Sequence, residues 1–218
     1  QKFRAAGIPM LAIDIPVPGA TFMGVDNWKV ATMAGQAAAD LIQQRWGGWD
    51  SVDLVVMLTL PICGEICLLR AEGFAQALAD RFGKDVEKKI HREDAGDGNV
   101  PDAQKASMLV LPKYPNAKRI VVTGIDEQAI AGFQAAAQIL KRWNKDDYII
   151  ISQGVDELGQ QLIRDNIEDG SIAYFPEKYG EYLVPAAVAQ YLGLKIPSHI
   201  YVDNVFINKD NLNQYYPK

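Results

Sequence analysis

Polar side chains that could bind a solute stand at or just beyond the ends of apolar runs in this sequence. They are three carboxylates, an arginine, an amide and a tyrosine: Asp14, Arg70, Asp126, Gln153, Asp156 and Tyr174. A carboxylate can accept hydrogen bonds from two vicinal hydroxyls, and the fork of an arginine can donate to ring or hydroxyl oxygens. An aromatic face can cover the C–H face of a sugar ring. The set therefore predicts a binding site for a small polyhydroxylated solute.

The elements that would position these side chains are short apolar strands that alternate with amphipathic helices. The pattern predicts strands at 7–14, 22–25, 51–60, 86–90, 119–123, 148–152, 171–175 and 201–207. It predicts helices at 27–46, 65–82, 102–112, 127–143, 157–168 and 177–192. This alternation favours an α/β fold in which helices cover both faces of a parallel sheet. Ligands of such sheets bind beyond the carboxyl ends of the strands, which makes the strand ends the place to search.

Composition and motifs argue against several other functions. A net charge of -5 leaves no basic excess to neutralise phosphates, so nucleic-acid binding is not expected. No apolar run approaches the roughly 20 residues that cross a bilayer, so membrane insertion is not expected. Neither a Gly-x-Gly-x-x-Gly motif nor a P-loop is present, and no cofactor is predicted. No nucleophile elbow is present and neither histidine has an obvious nucleophile partner, so catalysis is not predicted.

The two cysteines and two histidines indicate neither a disulfide scaffold nor a metal site. Cys63 and Cys67 are four residues apart near the start of a predicted helix, where the geometry rarely suits a disulfide. We therefore expect two small thiols that pack like core residues. His91 and His199 do not have the spacing of metal ligands, so no metal site is predicted.

Five of the six candidate side chains also have a purely structural interpretation. Asp14 could be a turn acid, and Arg70 could form an ion pair with a nearby carboxylate. The first half of a helix is unfavourable for a cation, which supports either a ligand role or an ion pair for Arg70. Asp126 and Asp156 could act only as helix N-caps. Tyr174 could pack as an aromatic residue in a hinge. Of the four tryptophans, only Trp28 is retained as a possible stacking residue.

Five segments, taken in order, resemble the sugar-binding type I periplasmic proteins of the ribose and galactose type. Residues 7–14 resemble the last strand of the first lobe in that family, and residues 22–27 resemble its crossing into the second lobe. Residues 69–74 resemble the family's Arg-x-x-Gly-Phe helix, and residues 125–130 its Asn-Asp-x-x-Ala turn. Residues 170–180 resemble the return crossing. The order and spacing of these segments cover almost the whole chain.

The resemblance implies Rossmann-like lobes, one near complete and one partial. Residues 1–20 and 176–199 would be the remnant of an N-terminal lobe whose first βα units are missing. Residues 21–175 and 200–218 would form the C-terminal lobe. The implied function is that of the solute-binding component of an ABC importer, periplasmic or secreted, that binds a sugar between the lobes and delivers it to a membrane permease.

Departures from the family pattern bear on the identity of the solute. Ile15 stands where the ribose-type pattern often has arginine, and Ile125 stands where it has asparagine. Gly154 and Tyr174 also differ from that pattern, so the resemblance does not assign ribose as the solute. The alternative is the effector-binding core of a LacI-type transcription regulator, which has the same fold and would have a helix-turn-helix upstream. A third class is an α/β enzyme that modifies a sugar or nucleotide.

Overall fold

The computed structural model describes residues 2–217, which fall into two compact units. The first unit contains the residues up to Asp26 together with Tyr174–Asn204, and the second contains Asn27–Ala173 together with the described residues from Val205 onward. In chain order the helices and strands are α1 Lys2–Ala5, β1 Leu11–Ile13, β2 Thr21–Gly24, α2 Asn27–Trp46, β3 Leu54–Thr59, α3 Glu65–Phe82, β4 Ile90–Asp94, α4 Val100–Lys113, β5 Ile120–Gly124, α5 Glu127–Ile139, β6 Tyr148–Gly154, α6 Glu157–Arg164, β7 Gly170–Ala173, α7 Tyr179–Tyr191, β8 His199–Tyr201, β9 Val205–Asn208 and α8 Leu212–Tyr215. Strands and helices alternate from α2 to β7 in the second unit, whereas β1 and β2 of the first unit follow each other without a helix.

The second unit is built on a six-stranded sheet in the order β4-β3-β5-β6-β7-β9. All neighbouring strands are parallel except β7 and β9, which are antiparallel. Every residue of β3 and β5 is buried, as is every residue of β6 except Gly154, because helices cover both faces of the sheet. The predicted α/β class is confirmed.

The first unit has a parallel three-stranded sheet in the order β1-β2-β8. Phe22 pairs with both Ala12 and His199, so β2 is the central strand. The resemblance assigns residues from 21 and from 200 to the second lobe, whereas this pairing includes Thr21–Gly24 and Tyr201 in the first unit. The functional division of the chain into two lobes stays a prediction.

Several elements differ from the pattern-based prediction. The strand predicted at 7–14 is only Leu11–Ile13, and the helix predicted at 157–168 ends at Arg164. The strand predicted at 86–90 begins instead at Ile90, because residues 84–89 form a 3₁₀ helix. The single strand predicted at 201–207 is two strands, one in each sheet. The helix predicted to reach Trp143 ends at Ile139, because Lys141 adopts a left-handed conformation with φ of 55°. The Arg142 N–H then bonds back to the carbonyl of Ala137, which closes the helix end.

The prediction of two free thiols is wrong, because Cys63 and Cys67 form a disulfide with a Cα–Cα distance of 5.8 Å. Cys63 lies in a 3₁₀ turn rather than in α3, and Gly64, with φ of 85°, separates that turn from the helix. The separation lies in the range that a disulfide can span, and the break frees Cys63 from the direction that a helical backbone would impose on its side chain. The bond closes the loop that follows β3. Among the described residues, no helix is long and apolar enough to cross a membrane.

Candidate functional site

Four of the six candidate residues follow or end neighbouring strands of the second unit. Arg70 lies in α3, which follows β3, and Asp126 follows β5. Gln153 is near the end of β6, and Asp156 follows that strand. Because β3, β5 and β6 are adjacent and parallel, their carboxyl ends meet at one edge of the sheet. The structure therefore brings these four residues to one edge of the second unit.

Arg70 is half-buried and joins three elements at this edge. Its Nε atom donates a hydrogen bond of 2.7 Å to Oδ1 of Asn27, and its Nη1 atom donates one of 2.9 Å to the carbonyl of Ile125. Asn27 is the first residue of α2 and is buried. The resemblance implies the loss of a ligand amide at Ile125, but the backbone of this residue still orients the arginine. The guanidinium is thus fixed in position by α2 and by the turn between β5 and α5.

Asp126 and Asp156 both act as helix N-caps. The Ala129 N–H donates to Oδ1 of Asp126 at 3.0 Å, and the Gly159 N–H donates to Oδ1 of Asp156 at 2.9 Å. Burial raises the pKa of Asp126, and the positive charge of Arg70 opposes that shift. The predicted capping is therefore confirmed for both carboxylates, and a role in ligand binding stays a prediction.

Gln153 is buried at the end of β6. Its Nε2 atom lies 3.5 Å from the carbonyl oxygen of Arg70 and donates to it. This contact links β6 to α3, so the amide and the arginine occupy the same part of the edge.

Glu127 is a buried acid of this region that the sequence reasoning does not identify. It is the first residue of α5, only 3% exposed, and its carboxylate accepts a hydrogen bond from the N–H of Val155. Burial, and then the negative charge of Asp156, raise the pKa of Glu127 to about 7. The available signal was the pair of acids at 126–127, which in a sequence suggests only a favourable helix start.

Glu168 is a second buried acid, located in the turn between α6 and β7. It is 1% exposed, and its Oε1 atom accepts a hydrogen bond of 2.7 Å from the Ser152 N–H. Its Oε2 atom has no hydrogen-bond partner among the described residues. Burial raises the pKa of Glu168 well above its usual range, and the negative charge of Glu127 adds to the shift.

The other two candidates, Asp14 and Tyr174, lie in the first unit. Asp14 follows β1, is exposed, and has a left-handed backbone with φ of 57°. Its Oδ1 atom accepts a hydrogen bond of 3.0 Å from the Tyr179 hydroxyl, and its N–H donates to the carbonyl of Met23. Tyr174 is half-buried. Trp28 is an exposed residue in the first turn of α2, next to the asparagine that holds Arg70.

Within the described part of the chain, no group of three or more histidine, cysteine, aspartate or glutamate side chains is arranged to hold a metal ion. The chemistry available at the edge of the second unit is therefore hydrogen bonding: a fixed guanidinium, two capping carboxylates and a buried amide. Such groups suit the recognition of hydroxyls.

The chain belongs to the periplasmic binding protein domain family, whose pattern matches residues 1–195. The resemblance drawn from the five sequence segments is thereby confirmed. An L-arabinose-binding periplasmic protein of an ABC transporter in Azospirillum brasilense is 26% identical over 150 residues. That match covers 66% of this chain and 41% of the relative. The chain thus spans less than half the length of that relative.

Solved structures share the fold. A periplasmic solute-binding protein of Actinobacillus succinogenes with bound D-allose has a TM-score of 0.81 at 18% identity, covering 99% of this chain and 74% of that one. A protein of Mycobacterium smegmatis in complex with β-D-fucofuranose also has a TM-score of 0.81 at 18% identity, covering 100% and 70%. An arabinose-binding protein of Geobacillus stearothermophilus has a TM-score of 0.77 at 17% identity, covering 99% and 73%.

Proposed function

We propose that this chain is the solute-binding component of an ABC importer and that it binds a sugar or a similar small polar solute without transforming it. The observation that carries the proposal is Arg70, which Asn27 and Ile125 hold at the carboxyl edge of a parallel sheet. Two of the similar proteins are named as arabinose-binding or solute-binding, and a third is in complex with a sugar, which supports the same class of ligand. The proposed partner after binding is the membrane permease.

The proposed ligand contacts are the six candidates. Arg70 donates to ring or hydroxyl oxygens, Asp126 and Asp156 accept from hydroxyls through the oxygens opposite their caps, and Gln153 adds an amide. Asp14 and Tyr174, in the first unit, stay proposed ligand residues by their chemistry, an acceptor and an aromatic face. This division of roles is consistent with the donor and acceptor capacity of each group.

The disulfide supports a periplasmic or secreted location. Disulfides persist in oxidising compartments and are rare in the cytosol of mesophiles, where thiols are kept reduced. Cys63 is exposed, so a cytosolic reductant would have access to this bond. The bond therefore favours an importer component over the regulator alternative, which acts in the cytosol.

Thermal unfolding in a panel of monosaccharides and polyols tests the proposal. A solute at about 100 times its Kd stabilises the native state by about 2.7 kcal/mol, which for a chain of this size raises Tm by roughly 5–10 °C. Arg70→Ala should remove the shift while the protein stays folded, and Glu157→Gln, a change at an exposed acid, should keep it. If no member of a broad panel raises Tm, the proposal is wrong. Recovery of the bound solute in altered form would favour the enzyme alternative.

A further inference from the structure

The turn between β6 and α6 has a costly backbone conformation. Gly154 has φ of 144°, and Val155, a β-branched residue, has φ of 67°. A β-branched side chain in the left-handed region is a genuine outlier, and such residues persist only where the surroundings impose the conformation. Gln153 and Asp156 flank these two residues. The orientation of Gln153 and Asp156 therefore depends in part on the group that stabilises the turn.

The carboxylate of Glu127 is the group placed to hold this turn. It accepts the N–H of Val155, which is itself buried. A Cβ atom built on Gly154 would lie 2.6 Å from each carboxylate oxygen, and one built on Gly159 would lie 2.7 Å from Oε1. Backbone from the turn and from the first turn of α6 thus packs directly against the carboxylate. Two positions without side chains make this close approach possible.

The charged groups that raise the pKa of Glu127 are carboxylates. Asp126 precedes it in α5, Asp156 lies at the start of α6, and Glu168 lies in the turn before β7. Arg70 acts on Asp126. Burial and these carboxylates raise the pKa of Glu127 to about 7, so its charge changes near neutral pH. A hydrogen bond from an N–H to an ionised carboxylate is stronger than one to a neutral acid.

We propose that Glu127 is a positioning residue for the candidate site: it holds the turn at Gly154 and Val155 and thereby orients Gln153 and Asp156. When Glu127 is ionised, its bond to the Val155 N–H is charge-assisted and the turn is held most firmly. When it is protonated, the bond weakens and the turn gains freedom. The effect on solute affinity rests on the proposed function, whereas the effect on the turn does not.

Nuclear magnetic resonance of the full chain, labelled with ¹⁵N, measures the Val155 amide directly and needs no ligand. Between pH 5.5 and 8.5, the Val155 amide proton should move downfield with a midpoint near 7 as Glu127 ionises. Glu127→Gln keeps an oxygen acceptor but cannot titrate, so this movement should disappear while the protein stays folded. Glu157→Gln, at an exposed acid of α6, is the matched control and should titrate as the unmodified chain does.

Solute affinity provides the second measurement, with whichever sugar raises Tm in the panel. Glu127→Ala leaves the Val155 N–H unsatisfied, so affinity should fall about tenfold or more. Glu127→Gln should stay within about threefold, because the neutral acceptor rescues the turn. A glutamate that stabilised the fold without orienting the turn would leave the solute affinity of a folded Glu127→Ala protein unchanged.

The outcomes separate the two proposals. If no sugar binds, but the amide proton shift of Val155 changes with pH only when Glu127 is present, the proposed function fails and the positioning of the turn stands. The inference is overturned if the amide proton shift of Val155 changes with pH in Glu127→Gln as it does in the unmodified chain. It is also overturned if this shift shows no transition in either protein. Unchanged sugar affinity in a folded Glu127→Ala protein would overturn the link from the turn to the site.

Discussion

The Nε atom of Arg70 donates a 2.7 Å hydrogen bond to Oδ1 of Asn27, across the junction of α3 with the start of α2. Because Asn27 is buried, packing fixes its amide, and the hydrogen bond to this amide orients the Arg70 guanidinium. The bond from Nη1 to the Ile125 carbonyl fixes a second corner of the same plane. A planar guanidinium with two corners fixed has one defined direction for its remaining donors.

Asn27→Ala should therefore weaken solute binding by about tenfold, because the arginine loses an acceptor that sets its plane. Asn27→Asp should retain most of the affinity, since a carboxylate oxygen accepts the same bond. Titration calorimetry with the solute identified in the panel measures both. Equal affinities for Asn27→Ala and the unmodified chain would show that Arg70 does not depend on this contact.

The stability of the chain should fall as the pH rises from about 5 to 8. Glu127 has an ordinary pKa of 4.5 and a folded-state pKa of about 7, so within this window the folded state binds more protons than the unfolded state. The stabilisation from this group is fully present below 4.5 and is lost as the pH rises through 7, a change of roughly 3 kcal/mol. Glu168 contributes with the same sign.

Urea unfolding at pH 5 and pH 8 measures this change. Glu127→Gln should be less sensitive to pH across the window, whereas Glu157→Gln should follow the unmodified chain. A free energy of unfolding that rises with pH in the unmodified chain but not in Glu127→Gln would contradict the expectation, because it would mean that folding lowers the pKa of Glu127.

Much of the fold could be predicted from the sequence because its determinants are local. The alternation of apolar runs with amphipathic stretches indicates the α/β class, and Asp126, a residue type preferred at N-caps, indicates the start of α5. The pairing of strands is not local. β8 and β9 are only three residues apart, yet they join different sheets. The polar pair Asp203-Asn204 between them can indicate a break in the run, but not which sheet each strand joins.

The parts of the site that could not be predicted depend on residues distant in sequence or on a single backbone angle. Glu127 is expected at a helix start, where an acid complements the dipole. Its burial depends on Gly154 and Gly159, which the fold places against it. The disulfide likewise depends on Gly64, whose φ of 85° separates Cys63 from the helix that contains Cys67. The spacing of residues in the sequence indicates neither the burial of Glu127 nor the disulfide.

Reduction of the disulfide should lower the stability of the chain by about 2 kcal/mol, the loop-closure value for so short a loop. The affected segment is the loop after β3, which leads into the helix that contains Arg70. Unfolding of the unmodified chain with and without a thiol reductant measures the loss. A variant with Cys63→Ser and Cys67→Ser should show the lower stability in both conditions; sensitivity of that variant to reductant would exclude the disulfide as the cause.

Gly159→Ala should destabilise the protein although alanine is the better helix former. Within α6, the exchange of glycine for alanine would ordinarily add up to about 1 kcal/mol. Here the new Cβ atom would lie 2.7 Å from Oε1 of Glu127, which is buried and has little room to move. Overpacking of this kind costs about 1–3 kcal/mol, so the net effect should be a loss.

A matched substitution and a double variant identify the cause of that loss. Gly180 lies in the first turn of α7 with open space where a Cβ atom would be, so Gly180→Ala should be neutral or stabilising by up to about 1 kcal/mol. In a Glu127→Ala background the obstacle to a methyl group at 159 is gone, and Gly159→Ala should then become neutral or stabilising. Urea unfolding of the four proteins in this cycle gives the coupling energy. If Gly159→Ala costs the same with and without Glu127, the carboxylate does not press on α6, and its hold on the neighbouring turn would have to rest on the Val155 N–H alone.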